Sequence, residues 1–373
     1  MARTGTANLP LHGGKAPGWL FKRMVKLSEG IIDVMIYEFG QDVFLKRLSD
    51  PFWFQALSCV LGFDWHSSGT TTVTCAALKE AIKPEDHGIV LAGGKGKASR
   101  KTLDEIKEHS QNFNLNSATI DELTYSSRMT AKVDNTAIQD YHQLYHHVFA
   151  FTEQGTWTVI QQGLNMSQRY ARRYHWFSKA IDQFMENPHD SILGEQTSDP
   201  VLNMVDQQSS QCQKTSVDLI NDNPQHLQRD WSILSRPEHQ RSLFDHENDN
   251  KKGITKQYLD MPWSINWKRM REIYEFQPKD YEEFLSMKGV GPKTVRALAL
   301  IADLIYGESP SWRDPVKYTF TVGGKDGVPY PVDKKTMDES IGIISNGIKQ
   351  AKIGNTHKLK SMKRLKKFVT MNQ

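Results

Sequence analysis

Leu20, Met24, Leu27 and Ile31 recur at the three- and four-residue spacing of one helix face. Trp53, Ala56, Leu57, Val60 and Leu61 repeat that pattern between Asp50-Pro51, a helix start, and Gly62, a helix stop. The pattern then changes. Gly88 to Ala92 is a short apolar run that predicts a buried strand, and Thr102 with Glu105 predicts a capping box opening the next helix. Leu144 to Phe151 and Thr156 to Gln162 are rich in β-formers and flank Glu153-Gln154-Gly155, which predicts a β-hairpin. Ser167 to Phe177 reads as a helix, with Arg169, Arg172 and Arg173 at helical spacing. Residues 1–192 are therefore expected to form a mixed α/β domain.

From 193 to 257 the composition shifts to Gln, Ser, Asp and Asn. A helix is expected over 201–220, and the remainder reads as a polar surface connection. Residues 258–373 return to helical patterning, interrupted by the Gly- and Pro-rich stretch from Gly323 to Pro331. The expected fold class is α+β, a mixed amino-terminal domain followed by a mainly helical carboxy-terminal one.

Within that second domain one segment carries the sharpest pattern. Asp280 precedes Tyr281, Phe284 and Leu285, with Glu283 placed to complete a cap, and Pro292 opens a second apolar stripe of Val295, Leu298, Ala299 and Ala302. Between them lies Lys288-Gly289-Val290-Gly291. Two glycines let the backbone approach a ligand closely, and the first N–H groups of the second helix form an anion site. Lys293 and Arg296 add charge beside it. This segment, 280–306, resembles the helix-hairpin-helix motif, which implies a grip on the DNA backbone by Lys288, Gly289, Val290, Gly291, Lys293, Thr294 and Arg296.

Charge agrees with a polyanion partner. The 373-residue chain has a net charge of +4, but residues 251–373 carry 23 Lys/Arg against 13 Asp/Glu, leaving the rest acidic. A basic tail spans 349–367, and no acidic residue follows Glu339. Such blocks bind nucleic acid through counterion release, without regard to sequence. No apolar run reaches membrane-span length and no apolar signal core opens the chain, so a cytoplasmic location without a membrane partner is expected. Three dispersed cysteines, Cys59, Cys75 and Cys212, exclude a disulfide framework and a Cys-x-x-Cys zinc site.

Over its whole length the chain also resembles the archaeal and bacterial domain-of-unknown-function family 763. The resemblance rests on Lys15-Ala16-Pro17, Phe63-Asp64-Trp65-His66-Ser67-Ser68-Gly69, Ala92-Gly93-Gly94-Lys95-Gly96-Lys97, Ala171-Arg172-Arg173-Tyr174-His175-Trp176 and Gly323-Gly324-Lys325-Asp326-Gly327. That family implies no activity.

Three functional readings stay open. The hairpin is similar to that of the helix-hairpin-helix DNA glycosylases, and this implies Lys293 as an imine-forming nucleophile with Asp314 as the accompanying carboxylate. Asp314 stands in Ser-Trp-Arg-Asp-Pro, where that family has an apolar residue before the aspartate. A second reading is metal-dependent phosphodiester cleavage. Asp64 and His66 alternate, and with His146 and His147 they offer oxygen and imidazole ligands for Mg²⁺, Mn²⁺ or Zn²⁺, although no cofactor is certain. Asp134, Asp140, His142, His175 and His189 extend that pool. The third is a DNA-binding accessory protein without catalysis. For all three, Lys95 and Lys97 after the predicted strand, and Arg172 and Arg173 interleaved with aromatics, are expected to add phosphate contacts. The glycine-rich run lacks Walker or dinucleotide spacing, so nucleotide hydrolysis is not expected.

Overall fold

The computed structural model describes residues 9–11, 16–62, 67–235, 261–262, 264–316, 342, 344–350 and 355–371. Its centre is a wholly antiparallel sheet. Strands β1 (Leu9–Pro10), β2 (Ile89–Lys95), β4 (Gln143–Thr152), β5 (Trp157–Asn165) and β6 (Tyr170–Phe177) run in the order β1-β6-β5-β4-β2, with β7 (Ser191–Leu193) also on β6. A separate ribbon joins β3 (Ile138–Gln139) to β8 (Leu202–Asn203). The expected β-hairpin is present: β4 and β5 pair across a turn in which Gly155 takes φ +83°.

One sheet face is covered by helices from the start of the chain. These are α1 (Gly18–Phe39), α2 (Gln41–Ser49), α3 (Pro51–Leu61) and α4 (Ser68–Ala81). Helix α3 begins where the sequence predicts, with the Asp50 carboxylate accepting from the Phe52 and Trp53 amides, and ends at the left-handed Gly62. Trp53, Phe54, Leu57 and Met35 bury against Val148, Ala150, Ile160 and Phe177 of the sheet.

The opposite face carries α6 (Thr102–Asn112) and α7 (Ser117–Lys132), then α8 (Ser210–Asn221), α9 (Pro224–Leu234), α10 (Trp267–Phe276), α11 (Tyr281–Ser286) and α12 (Pro292–Leu304). A short α5 (Pro84–His87) leads into β2. A single apolar cluster runs from Val90 and Phe149 on the sheet, through Leu123 and Met129 of α7, to Phe284, Val295 and Leu298 of the hairpin helices. The hairpin thus shares a core with the sheet. Of the polar stretch at 193–257, residues 210–221 and 224–234 are helical, and Val217, Ile220 and Leu227 are buried. The first helix is the expected one in shortened form, whereas α9 falls where a connection was expected. Of the remaining connection, 236–257 lies outside the described residues, as does Gly323 to Pro331.

Two local expectations fail. Residues 170–177 are a strand, not a helix, with Arg172, Tyr174 and Trp176 facing one way and Arg173, His175 and Phe177 the other. Both faces are covered, so the alternation of apolar and polar residues that marks a half-exposed strand is absent. The capping box at Thr102 does not form either. The Thr102 hydroxyl donates to the Ser99 carbonyl, while Glu105 accepts from the Gly93 amide and pairs with Lys79 at 2.6 Å. Glu105 therefore ties α6 to β2 and α4 instead of capping its own helix.

The basic carboxy-terminal segment is not a free tail throughout. The helix Asn355–Met371 packs against α3, with Leu365 buried and Arg364 donating to the Val60 carbonyl at 2.8 Å. Lys360 and Lys363 stay exposed on it.

Candidate nucleic-acid interface and buried polar networks

Helix α11 starts at Asp280, whose carboxylate accepts from the Glu283 amide, while Glu283 reaches back to the Lys279 amide. This is the cap read from the sequence, with the Glu283 return bond reaching the residue before the N-cap instead of the N-cap itself. The chain then turns at Gly289, with φ +87°, and enters α12 at Gly291, an extended cap with no side chain, followed by Pro292 at the first helical position. Among the described residues, the amides of Gly289, Gly291, Lys293 and Thr294 have no acceptor. Val290 is buried beneath them, and Lys288 and Lys293 are exposed beside them. Arg296 lies over the Trp312 ring at 5.5 Å.

The support behind the turn comes from residues that no sequence motif marked. Lys132, at the end of α7, donates to the carbonyls of Met287 at 3.0 Å and Val290 at 2.6 Å. Gln139 donates to the Pro292 carbonyl, and the Tyr125 hydroxyl to Glu282. Burial, with the positive charges of Arg128 and Arg269, lowers the Lys132 amine to about 8. Three basic residues from α7 and α10 therefore gather behind the turn, adding to the two exposed lysines in front. Their spacing across two helices far apart in the chain left no linear signal.

Asp314 is not open toward Lys293. Both of its oxygens are engaged, one by the Arg172 guanidinium at 2.8 Å and the Thr197 amide, the other by the Val316 amide. Arg172 also donates to Asp140 at 2.8 Å and to the Glu195 carbonyl, and Asp140 accepts from the Tyr174 hydroxyl. Burial alone would raise the Asp140 carboxyl, but Arg172, His142 and Tyr174 hold it well below the usual carboxylate range. Burial likewise opposes the charge on Arg172, yet Asp140 and Asp314 keep it firmly protonated. This triad joins the sheet to the segment after α12.

Asp134 sits in a π-helical turn that follows α7. It accepts from Gln161 at 2.6 Å, from the Trp176 indole at 3.0 Å and from His189. Gln161 in turn accepts from His147, and Ser127 bonds the other His147 nitrogen at 2.9 Å. Each group has its partner, so this chain of bonds stands complete inside the core.

His146 and His147 were expected on one metal, but as neighbours on β4 they point to opposite faces of the sheet. Asp64 and His66 lie outside the described residues, and among those described no group of three His, Cys, Asp or Glu converges. Arg172 and Arg173, expected to contact phosphates at the surface, are both wholly buried. Lys95 and Lys97 are exposed at the end of β2. The glycines before them have their own task, since a Cβ at Gly93 would fall 2.3 Å from the His147 carbonyl oxygen. No helix among the described residues is long and apolar enough to cross a membrane.

Comparison with known proteins adds a family but no chemistry. The family described as "Protein of unknown function (DUF763)" matches residues 5–332. No curated protein and no solved structure matches.

Proposed function

The chain belongs to the DUF763 family, and we propose that this protein binds DNA through the sugar-phosphate backbone, using the hairpin between α11 and α12. The observation that carries this reading is the row of unpartnered amides at Gly289, Gly291, Lys293 and Thr294, flanked by exposed Lys288 and Lys293. Amides at a helix start with lysines beside them match phosphate oxygens in charge and in donor geometry. Backbone amides at a helix start meet phosphates rather than base edges, so this binding is expected to depend little on sequence.

The base-excision reading draws no support from the geometry. It requires a dry, neutral Lys293 facing Asp314, whereas Lys293 is exposed and Asp314 is consumed by Arg172. The metal-cleavage reading draws none from His146 and His147, which occupy different faces. An accessory role in DNA repair or processing accords best with an interface whose donors are all positioning groups.

The test is fluorescence anisotropy with labelled duplex and single-stranded DNA across a salt series. Tight binding at low salt should weaken steeply and linearly in log–log form, with little dependence on sequence. Gly291→Val is the informative variant, because a Cβ at Gly291 meets no heavy atom within 4 Å. The fold should persist while the side chain obstructs the amides. Unchanged affinity in that variant would leave the hairpin a purely structural element.

A further inference from the structure

One row of side chains crosses four adjacent strands on the face covered by α1 to α4. The pairing register places Lys95 of β2 opposite His146 of β4, His146 opposite Gln162 of β5, and Gln162 opposite Arg173 of β6. Beyond the row this face is largely apolar, lined by Val148, Ala150, Ile160 and Phe177, with Thr158 and His175 as further buried polar residues. The row is therefore a polar band set into a hydrophobic interface.

Its members are unevenly satisfied. Gln162 is fully occupied, accepting from the Thr71 hydroxyl and donating to the Ser68 carbonyl at 2.9 Å and to the Tyr145 hydroxyl. Arg173 donates from Nε to His175 at 2.9 Å and weakly from Nη1 to Thr71 at 3.4 Å, and lies over the Phe54 ring at 4.6 Å. Its Nη2 has no partner, and neither does either ring nitrogen of His146, a residue 1% exposed. Unlike Arg172, Arg173 meets no carboxylate among the described residues. Buried charges and buried donors persist where something compensates them. Burial presses the guanidinium down to about 9, which still leaves it cationic at neutral pH.

We propose that His146 and Arg173, on either side of the satisfied Gln162 and beneath Thr71, hold a phosphate group. The guanidinium supplies the counter-charge and a free N–H, and neutral His146 supplies a second donor from β4, on the far side of Gln162. Lys95 extends the row to the surface, its ammonium 5.8 Å from the Tyr145 ring, and gives an approaching anion a cationic rim. Three of the segments that carry the family resemblance thus meet here, through Ser68, Lys95 and Arg173. Free phosphate and the terminal phosphate of a nucleotide share the required chemistry.

Thermal unfolding of the full chain distinguishes these sources. Inorganic phosphate and thymidine 5′-monophosphate are titrated at constant ionic strength, with thymidine and chloride as controls. The melting temperature should rise with the logarithm of the inorganic phosphate concentration once this exceeds the dissociation constant, or of the monophosphate if the terminal group is the ligand, and not with either control. Gly291→Val should keep the response, which separates this site from the hairpin. Arg173→Met should fold at least as stably without phosphate and lose the response, because an uncompensated buried charge has been replaced by an apolar chain. Thr71→Val, a near-isosteric change, should weaken the response about tenfold and serves if Arg173→Met fails to fold. A wild type whose melting temperature does not respond to phosphate beyond the chloride control, or Arg173→Met and Thr71→Val responding as wild type does, overturns the proposal.

Discussion

Arg172 and Arg173 are adjacent on one strand and equally buried, yet Arg172 lies between two carboxylates while Arg173 has none among the described residues. The pleat sends them to opposite sides of the sheet and so into different environments. Removing them should have opposite effects. Arg172→Met strands Asp140 and Asp314 as buried anions and should cost about 3–5 kcal/mol. Arg173→Met leaves no orphaned carboxylate and should be neutral or stabilising by up to about 4 kcal/mol. Urea unfolding of both variants measures the contrast, and equal losses would mean that Arg173 also has a protein counter-charge.

Those two arginines also show where sequence reasoning stops. Spaced with Arg169, they satisfy the period of a helix as well as that of a strand, and a strand covered on both faces carries no alternation to break the tie. Their charge suggested a surface, since burial of a guanidinium depends on partners far away in the chain, such as Asp314. The hairpin was legible because its determinants, Asp280, Gly289, Gly291 and Pro292, are local caps and turns. Its bracing by Lys132 was not legible, because the bond joins residues 155 apart.

The buried imidazoles set an acid limit on stability. Burial first, with Lys95 and His147 adding to it, lowers His146 to about 3, and burial lowers His147 to about 4 against a raising bond from Gln161. In the unfolded chain both titrate near about 6.5. As pH falls through that value, the unfolded state takes up protons that the native rings refuse, so acid favours unfolding. Each ring should remove about 1.4 kcal/mol per pH unit until its own native value is reached. Stability measured by urea unfolding should thus rise from pH 4 to 6.5 and then flatten, and His146→Leu should make that limb shallower. A limb unchanged in this variant would mean that His146 is protonated in the native state.

Lys132 should influence DNA binding without touching DNA. Lys132→Met leaves the Val290 carbonyl without a donor, at about 1–3 kcal/mol if it stays dry, and the Met287 carbonyl with only the Val290 amide at 3.4 Å. The turn should loosen and affinity should fall, but the salt slope should stay as in wild type because no phosphate contact has gone. Lys293→Met should instead lower the slope by about 0.9. Anisotropy over a salt series reads both. A reduced slope in Lys132→Met would place its ammonium on the DNA.

The two glycines of the turn make separable demands, and alanine at each should reveal which is which. Gly289 takes φ +87°, and a Cβ there would lie 2.9 Å from Nε of Arg269, an atom that already lacks a partner. Gly289→Ala should therefore lose about 1–3 kcal/mol through left-handed strain, with some loss of DNA affinity as the turn shifts. Gly291 is extended, a conformation open to any residue, with empty space where its Cβ would stand. Gly291→Ala should leave urea unfolding unchanged within about 0.5 kcal/mol. Its effect should appear only when DNA approaches, as weaker binding that deepens from Ala to Val with the bulk set in front of the amides. If instead Gly291→Ala destabilises the free protein while affinity holds, the glycine serves the fold, and the DNA contact lies elsewhere.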